Sequence, residues 1–147
     1  MITTIALAES DVDILACHPV MHELRPAITR DEFLVRVRRQ QTSGYHLAFV
    51  GLQGDPVAVA GFRIGENLAW GRFLYVDDLV TRSHNRSQGH GRSLLNWLAQ
   101  FGLDAGCEQM HLDSGLQRVD AHRFYEREAM PATGYHFAKT LAHHQPD

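Results

Sequence analysis

Residues 73–98 read FLYVDDLVTRSHNRSQGHGRSLLNWL, and this stretch decides the fold of the chain. It begins with an apolar run typical of a strand and ends with apolar residues at helical spacing. Between them lies the glycine turn, Arg86-Ser87-Gln88-Gly89-His90-Gly91. Glycines at alternate positions let a ligand approach the backbone at a helix start, where the helix dipole favours an anion. The stretch therefore predicts a strand, an anion-binding turn and a helix.

A strand and a helix are predicted at the amino-terminal end. Ile2 to Leu7 has the composition of a short strand. Glu9-Ser10-Asp11 marks the start of a helix that runs to about Leu24, because serine and aspartate are favoured helix caps. Proline lacks the backbone N–H that a helix interior needs, so we expect this helix to be broken at Pro19.

A second helix is predicted from Thr29 to Gly44. Thr29 and Glu32 have the spacing of a capping box, in which the two residues satisfy each other's backbone amides at the helix start. The apolar positions of this helix are Phe33, Val35 and Val37.

The next segment changes from helical to extended patterning. Residues 45–50 and 57–62 are rich in residue types that favour strands. The cluster Gly54-Asp55-Pro56 between them is typical of a turn. The two runs are therefore predicted to form an antiparallel hairpin.

A strand–helix–strand unit follows the hairpin. Its first strand covers about Phe73 to Thr81, its helix runs from the glycine turn to Gly106 with a weak point at Gly102, and its second strand covers residues 109–113. Antiparallel strands followed by such a crossover predict an α+β fold with a mixed α/β sheet, since a purely parallel sheet would contain no hairpin.

The carboxyl-terminal part is predicted to contain one helix and one extended segment. The helix covers Asp120 to Arg127, and Gly134 to Leu141 ends the domain as extended chain. The helix face that we expect to be apolar holds Ala121, Phe124 and Tyr125. We find no linker or repeat, so residues 1–147 are expected to form a single domain, a length that suits one hydrophobic core.

Three phosphate-binding motifs compete for the glycine turn. A P-loop would end in Gly-Lys-Ser or Gly-Lys-Thr, and the turn has no lysine, so that motif is excluded. A dinucleotide fingerprint needs a third glycine where Leu94 stands, although Asp113 lies near the distance expected for the ribose-binding acid, and this alternative stays open. The third pattern, Arg/Gln-x-x-Gly-x-Gly/Ala, is matched in full by the glycine turn.

By that pattern the chain resembles the GCN5-related N-acetyltransferase (GNAT) superfamily, whose members wrap such a turn around the pyrophosphate of acetyl-CoA. A second motif adds to the resemblance, since residues 121–127 look like the Ala-x-x-x-Tyr-Glu helix of the family. The likeness covers roughly residues 45–140. It implies a central mixed, mostly antiparallel sheet that is flanked by helices and splayed at the cofactor cleft, with acetyl-CoA as co-substrate.

The resemblance also implies which residues bind acetyl-CoA. The strand before the glycine turn would offer backbone groups to the pantetheine arm, and the turn itself would bind the pyrophosphate. Arg118 stands where many relatives carry an asparagine that touches the pantetheine arm, which leaves its role open. The implied cofactor-binding residues are Leu79, Val80, Thr81, Arg86, Ser87, Gln88, Gly89, His90, Gly91, Arg92 and Arg118.

Tyr125 is the implied catalytic acid. Acetyl transfer needs a deprotonated amine, a stabilised carbonyl oxygen and a protonated leaving thiolate, and by resemblance Tyr125 protonates the departing sulfur. Ordinary pKa values of about 10 for tyrosine and about 8.5 for a thiol make that proton transfer uphill by about 2 kcal/mol. Burial of the thiolate would narrow the gap. The alternative is that Tyr125 only packs on the apolar helix face.

Asp77 and Asp78 interrupt an apolar strand. Successive strand side chains point to opposite faces, so we expect at most one of them beside the thioester. Asp77 falls where polyamine-acetylating relatives, which resemble Val76 to Leu79, carry a carboxylate proposed as base. An ordinary aspartate is mismatched with an alkylammonium by about 9 kcal/mol, so attraction and orientation of a cationic amine is the role that we expect. The alternative for either acid is a role as an exposed acid at the strand end or as the ion-pair partner of Arg72 or Arg82.

Composition argues against several other classes of function. The formal net charge of -3 does not favour nonspecific binding to nucleic acid or to an anionic membrane. The two cysteines are too few for a disulfide framework, and the ten histidines show no His-Glu-x-x-His pattern, so we expect no metal site. The sequence shows no leader or membrane span, which predicts a cytoplasmic location. His122 or His136 is a further candidate base, and His143 and His144 are expected to be solvated.

The expected function is therefore acetyl-CoA-dependent N-acetyl transfer to a primary amine of a small molecule or to an exposed peptide amine, by direct attack in a ternary complex. A non-catalytic CoA-binding regulatory module is the main alternative, and a nucleotide-binding domain is the third. The acceptor would be selected by residues 17–40 and by loops near Glu66 and Pro131. A homodimer is a further expectation, because domains of this type pair through exposed strands.

Overall fold

The computed structural model describes residues 2–142, so the predictions for His143 and His144 lie outside the described residues. The chain divides into two units, with the boundary between Leu112 and Asp113. Among the described helices, none has the length and apolar character that crossing a membrane requires.

The first unit is built on a five-stranded sheet. Its strands, in their order across the sheet, are β1 Thr3–Leu7, β2 Tyr45–Leu52, β3 Asp55–Asn67, β4 Gly71–Thr81 and β5 Gln109–Leu112. Neighbouring strands are antiparallel except β4 and β5, which are parallel. This arrangement confirms the predicted α+β fold with a mixed, mostly antiparallel sheet. Between β1 and β2 the chain forms α1 Asp11–Leu24 and α2 Arg30–Gln41, and between β4 and β5 it forms α3 His90–Asp104.

The sheet is covered on both faces because its central strands are apolar on both sides. One buried cluster joins the sheet to α1 and α2, with Ile14 and Phe33 packed around Val59. The other joins it to α3, with Leu94 and Leu98 packed around residues that include Phe62 and Leu74. The crossover from β4 through α3 to β5 therefore fixes the glycine turn at the end of a buried strand.

Helix α1 passes through Pro19 without a break, so that part of the prediction was wrong. Ser10 caps the helix by accepting from the Asp13 amide at 3.1 Å. Cys17 and Val20, on either side of the proline, are buried in the core. Their burial outweighs the loss of one intrahelical hydrogen bond.

Helix α2 begins as predicted, with the Thr29 side chain accepting from the Glu32 amide at 3.3 Å, but it ends at Gln41 instead of Gly44. Phe33 and Val37 are buried and share one helix face. Val35 lies on another face and is 60% exposed.

The hairpin between β2 and β3 turns at Gln53 and Gly54, whose φ angles are 52° and 87°. Two successive left-handed residues make the tight turn that matches the twist of paired strands. Asp55 and Pro56 were predicted as part of this turn and instead begin β3.

The second unit contains α4, Val119–Arg127, which agrees with the predicted helix. The predicted extended segment from Gly134 to Leu141 forms no strand. Tyr135 and Phe137 within it are 82% and 90% exposed. The described residues of this unit, 113–142, include no strand that could pair with the segment, and an unpaired strand has no stability of its own.

Candidate functional site

The glycine turn lies at the start of α3, as predicted, with Gly89 as the N-cap residue. Ser87 and Gly89 both have left-handed backbone, with φ angles of 64° and 84°. A Cβ placed on Gly89 would meet no heavy atom within 4 Å, so the space beside the backbone is open. Left-handed residues at alternate positions turn neighbouring N–H groups toward one side, an arrangement that binds anions.

The first hydrogen bond of α3 joins the Ser93 amide to the Gly89 carbonyl at 3.0 Å. The amides of His90 and Gly91 therefore precede the intrahelical ladder, at the positive end of the helix dipole. The His90 ring is buried, and its Nε2 lies 3.1 Å from Gln88 Oε1. This side-chain contact braces the turn from within.

Arg86 ties the glycine turn to two neighbouring elements. Its Nε donates to the Thr81 carbonyl at 3.3 Å, and its Nη2 lies 3.7 Å from Glu23 Oε1. Glu23 also accepts from the Ser83 amide at 3.1 Å. The Arg86 side chain is still 62% exposed, so it can meet a ligand while it holds the turn against the end of β4.

Strand β4 runs past the end of its parallel partner. Pairing with β5 covers Phe73 to Val76, whereas β4 continues to Thr81. Among the described strands, only β3 pairs with β4 beyond Val76. Leu79, Val80 and Thr81 lie in this stretch, where backbone groups on the edge away from β3 have no strand neighbour among the described residues.

A β-bulge lies in β4 at Asp77, because Gly61 pairs with Asp78 while the next residue, Phe62, pairs with Val76. An extra residue reverses the alternation of side chains along a strand. Val76 accordingly packs with α3, whereas Val80 packs with α1 and α2. Asp77 and Asp78 thus share the α1/α2 face, and the prediction that they point to opposite faces was wrong.

Each carboxylate at the bulge pairs with a distant arginine. Asp77 Oδ2 accepts from Arg63 Nε at 2.8 Å. Asp78 Oδ1 accepts from both Nε and Nη2 of Arg25, at 2.8 and 2.5 Å. The predicted partners, Arg72 and Arg82, instead donate to the Ala105 carbonyl and to Asn85 Oδ1.

Burial controls the ionisation of the groups at the bulge. It raises the pKa of the Asp77 carboxyl above its usual value, against the opposing hydrogen bond and charge of Arg63. It also raises the pKa of the Tyr45 hydroxyl, and the negative charges of Asp78 and Asp77 act in the same direction. Tyr45 is only 5% exposed and remains neutral, with the Arg63 guanidinium 5.3 Å from the centre of its ring.

Gly61 leaves room for the Tyr45 ring at the bulge. A Cβ at Gly61 would lie 2.8 Å from Tyr45 Cζ and 2.9 Å from Cε1, and it would also overlap the hydroxyl. Because the ring is rigid and buried, we expect Gly61→Ala to lower the free energy of unfolding by about 1–3 kcal/mol through overpacking. Urea unfolding of the variant and the wild type measures the difference.

Gly102→Ala in α3 is the matched control. A Cβ there would meet Leu74 at 3.5 Å and Cys107 at 3.6 Å, which are ordinary contacts. The same substitution should therefore stabilise the protein by up to about 1 kcal/mol, the helix advantage of alanine over glycine. Equal effects of the two variants would contradict the claim that Tyr45 occupies the space beside Gly61.

In the second unit, α4 holds Tyr125 near Arg118. The Tyr125 ring packs edge-on against Phe124, with 5.2 Å between ring centres. Burial raises the pKa of the Tyr125 hydroxyl, and the positive charge of Arg118 acts against that rise. Arg118 is the N-cap residue of α4 but makes no side-chain capping bond. Tyr125 therefore shows the contact expected of a packing residue together with a hydroxyl that stays protonated.

The two histidines considered as bases are engaged within the second unit. His122 Nε2 lies 2.8 Å from the Gly115 carbonyl oxygen. His136 Nδ1 lies 3.5 Å from Asp113 Oδ1. These contacts give each ring a local structural partner.

Arg25, Arg63 and Tyr45 were not predicted as site residues. Each approaches the bulge through contacts between residues that are not close in sequence. The periodicity of the sequence does not reveal such contacts. One signal was present, since Gly61 interrupts an apolar strand, and an isolated glycine in a strand marks a bulge or a close approach.

Comparison with protein families finds one family whose model matches most of the chain. It is described as the acetyltransferase (GNAT) family, and it matches residues 13–129. That region takes in the glycine turn, the bulge and α4.

Individual proteins give a consistent picture. YhdJ of Bacillus subtilis, named as an uncharacterized N-acetyltransferase, is 32% identical over 126 residues, covering 84% of this chain and 89% of its own. Aminoalkylphosphonate N-acetyltransferase of Salmonella typhimurium is 29% identical over 128 residues, covering 86% and 81%. The solved structure of AAC(6')-Iy with a CoA bisubstrate analog has a TM-score of 0.86 at 12% identity and covers 97% of this chain and 99% of its own. At 12% identity, the likeness to AAC(6')-Iy is evidence for the fold of this chain and for nothing more.

Proposed function

Since the chain belongs to the acetyltransferase (GNAT) family, we propose that it transfers the acetyl group of acetyl-CoA directly to a primary amine in a ternary complex. The acceptor is a small molecule or an exposed peptide amine. We further propose that residues 1–147 work as one N-acetyltransferase domain. The region that matches the family includes residues from both units, which supports this.

The single observation that carries the proposal is the open glycine turn at the start of α3. Anion binding needs N–H groups turned to one side and room for phosphate oxygens, and the left-handed backbone of Ser87 and Gly89 and the open space beside Gly89 support both. We assign the pyrophosphate to the backbone of Ser87, Gln88, Gly89, His90 and Gly91. The exposed side chains of Arg86 and Arg92 add positive charge beside the proposed pyrophosphate site.

The edge of β4 is the proposed contact for the pantetheine arm. Residues 79–81 extend past the end of β5, so backbone groups on the edge away from β3 can bond a chain-like ligand as a neighbouring strand would. The Thr81 carbonyl on this stretch already accepts from Arg86. A backbone amide of Leu79 or Val80 would bind the developing oxyanion. Arg118 is a further proposed contact for acetyl-CoA.

Acetyl-CoA supplies an acyl group activated as a thioester. The reaction breaks the acetyl C–S bond and forms a C–N bond, and of the two protons that the ammonium loses, one ends on the sulfur and one in solvent. Tyr125 is the proposed acid that donates to the sulfur, since its raised pKa keeps the hydroxyl protonated. Asp77 is proposed to attract and orient the amine.

The acceptor class is proposed from the charges at the bulge and from the names of relatives. Carboxylates attract an ammonium, and Asp77 and Asp78 are both partly accessible, with side chains 23% and 15% exposed. Two relatives carry names of enzymes that acetylate amines, aminoalkylphosphonates in one and thialysine in the other. These points support an acceptor of low molecular weight.

Calorimetry and a thiol-release assay test the proposal together. Acetyl-CoA should bind to the purified protein, and a panel of small primary amines should include at least one that releases CoA thiol only when enzyme and amine are both present. Absence of acetyl-CoA binding would refute the proposal. Binding without thiol release from any amine or exposed peptide amine would instead favour a regulatory CoA-binding module.

A further inference from the structure

Four charged side chains at the bulge form what we call the charge cluster, namely Arg25, Arg63, Asp77 and Asp78. Arg25 comes from the C-cap position of α1, Arg63 from β3, and the acids from β4. They form two ion pairs, Arg25 with Asp78 and Arg63 with Asp77. Because the charges cancel, the cluster carries no net charge, unlike Asp77 and Asp78 taken alone.

The two members of the Arg25–Asp78 pair differ in accessibility. The Arg25 side chain is 50% exposed, whereas that of Asp78 is 15% exposed. Arg25 uses Nε and Nη2 on a single oxygen of Asp78. A ligand from solvent therefore meets the guanidinium before it meets the carboxylate, and an amine that reaches Asp78 must compete with Arg25.

The charge balance distinguishes among possible acceptors. A purely cationic amine would displace the Arg25 guanidinium from Asp78 and leave that guanidinium without a negative partner. Loss of the partner costs free energy where the groups are partly desolvated. An amine that also carries an anion would replace the Arg25–Asp78 pair with two ion pairs. Its ammonium would pair with Asp78 and its anion with Arg25. When the anion is singly charged, such an amine adds no net charge to the cluster.

We propose that the acceptor is a primary amine that bears an anionic group a few bonds from its nitrogen. Arg25 holds the anion, and Asp78 holds the ammonium beside Asp77, which orients the amine. This inference rests on the proposed acetyl transfer and names its substrate class. Arg25 is then a specificity-determining residue. It also assists product release, because acetylation removes the ammonium charge and Arg25 can return to Asp78.

Four small amines test the inference. 2-Aminoethylphosphonate and β-alanine carry an anion, propylamine carries no second charge, and 1,3-diaminopropane carries a second cation. We expect kcat/KM to be at least about 10-fold higher for the better anionic amine than for propylamine, because hydrogen bonds to charged groups are the strong ones, and lowest for the diamine. Equal or higher kcat/KM for propylamine or the diamine would overturn the inference.

Arg25→Gln should remove the preference, lowering the ratio of anionic amine to propylamine by about 10-fold. Arg38→Gln is the matched control, since Arg38 is also a half-exposed arginine that binds an aspartate, Asp11, at 2.6 Å. The control should keep the wild-type ratio. An unchanged ratio in Arg25→Gln would refute the role of Arg25 even if the enzyme prefers anionic amines.

Calorimetry separates failure of this inference from failure of the proposed function. The measurement uses 2-aminoethylphosphonate and β-alanine on protein saturated with CoA, and it needs no turnover. Weaker binding of these amines to Arg25→Gln than to the wild type supports the inference. Equal binding to both proteins, or no binding to the wild type, overturns it. Turnover of propylamine alone would leave the acetyltransferase function standing and the acceptor class wrong.

Discussion

Tyr125→Phe is expected to lower kcat by about 100-fold or more, the usual contribution of a general acid, while acetyl-CoA affinity stays near the wild-type value. The substitution removes only the hydroxyl, and the ring can keep its contact with Phe124. Loss of proton donation slows departure of the thiolate without affecting the glycine turn. Thiol-release kinetics and calorimetry with acetyl-CoA measure the two quantities separately.

The pH dependence follows from the direction of the Tyr125 pKa shift. Burial raises the pKa of Tyr125 above its ordinary value, and only the protonated hydroxyl can donate. The protonated, active form therefore persists to higher pH than an ordinary tyrosine would allow, and activity is lost as pH rises through the raised pKa. The positive charge of Arg118 opposes this rise in the Tyr125 pKa. Arg118→Gln should therefore move the loss of activity to still higher pH.

Tyr135→Phe is the control for removal of a tyrosine hydroxyl from the second unit. Tyr135 is 82% exposed and should tolerate the change without loss of kcat. If Tyr125→Phe kept kcat within a factor of about 3 of the control, Tyr125 would be a packing residue, because a general acid contributes far more.

The elements that the sequence predicted best are those with a local cause. The helix cap at Thr29, the strand-favouring runs of the hairpin and the glycine turn are all set by residues close together in the chain. Pro19 was a misleading local signal, since the helix interior there is held by burial of Cys17 and Val20. Tertiary packing decides such cases, and single-residue propensity does not reveal it.

The charge cluster could not be predicted because it depends on register. The bulge at Asp77 arises from how β3 aligns with β4, and it alone places Asp78 on the same face as Asp77. Arg25 lies 53 residues from Asp78 in sequence, so no local pattern connects them. The site residues, the single domain, the cytoplasmic location and the homodimer remain predictions. The family motif in the glycine turn predicts the acetyl donor. The residues proposed to select the acceptor come together only through contacts between distant parts of the sequence.

Gly89→Val is expected to weaken acetyl-CoA binding by about 100-fold, since hydrogen bonds to a charged group contribute about 1.5–3 kcal/mol each and the new side chain would block at least one. The open space beside Gly89 is where a β-branched side chain would lie. Its φ of 84° is also unfavourable for valine, which would distort the turn and misdirect the amides of His90 and Gly91. Calorimetry with acetyl-CoA measures the loss.

Gly54→Val distinguishes loss of the ligand site from general backbone strain. Gly54 has a φ of 87° and equally open surroundings, but it lies in the hairpin turn between β2 and β3. Both variants should lose about 1–2 kcal/mol of stability, because each forces a side chain into left-handed backbone. Only Gly89→Val should lose acetyl-CoA affinity, and Gly89→Ala provides a milder variant if valine prevents folding. Equal affinity losses at positions 54 and 89 would show that strain alone is responsible, and wild-type affinity in both Gly89 variants would remove the glycine turn from the cofactor site.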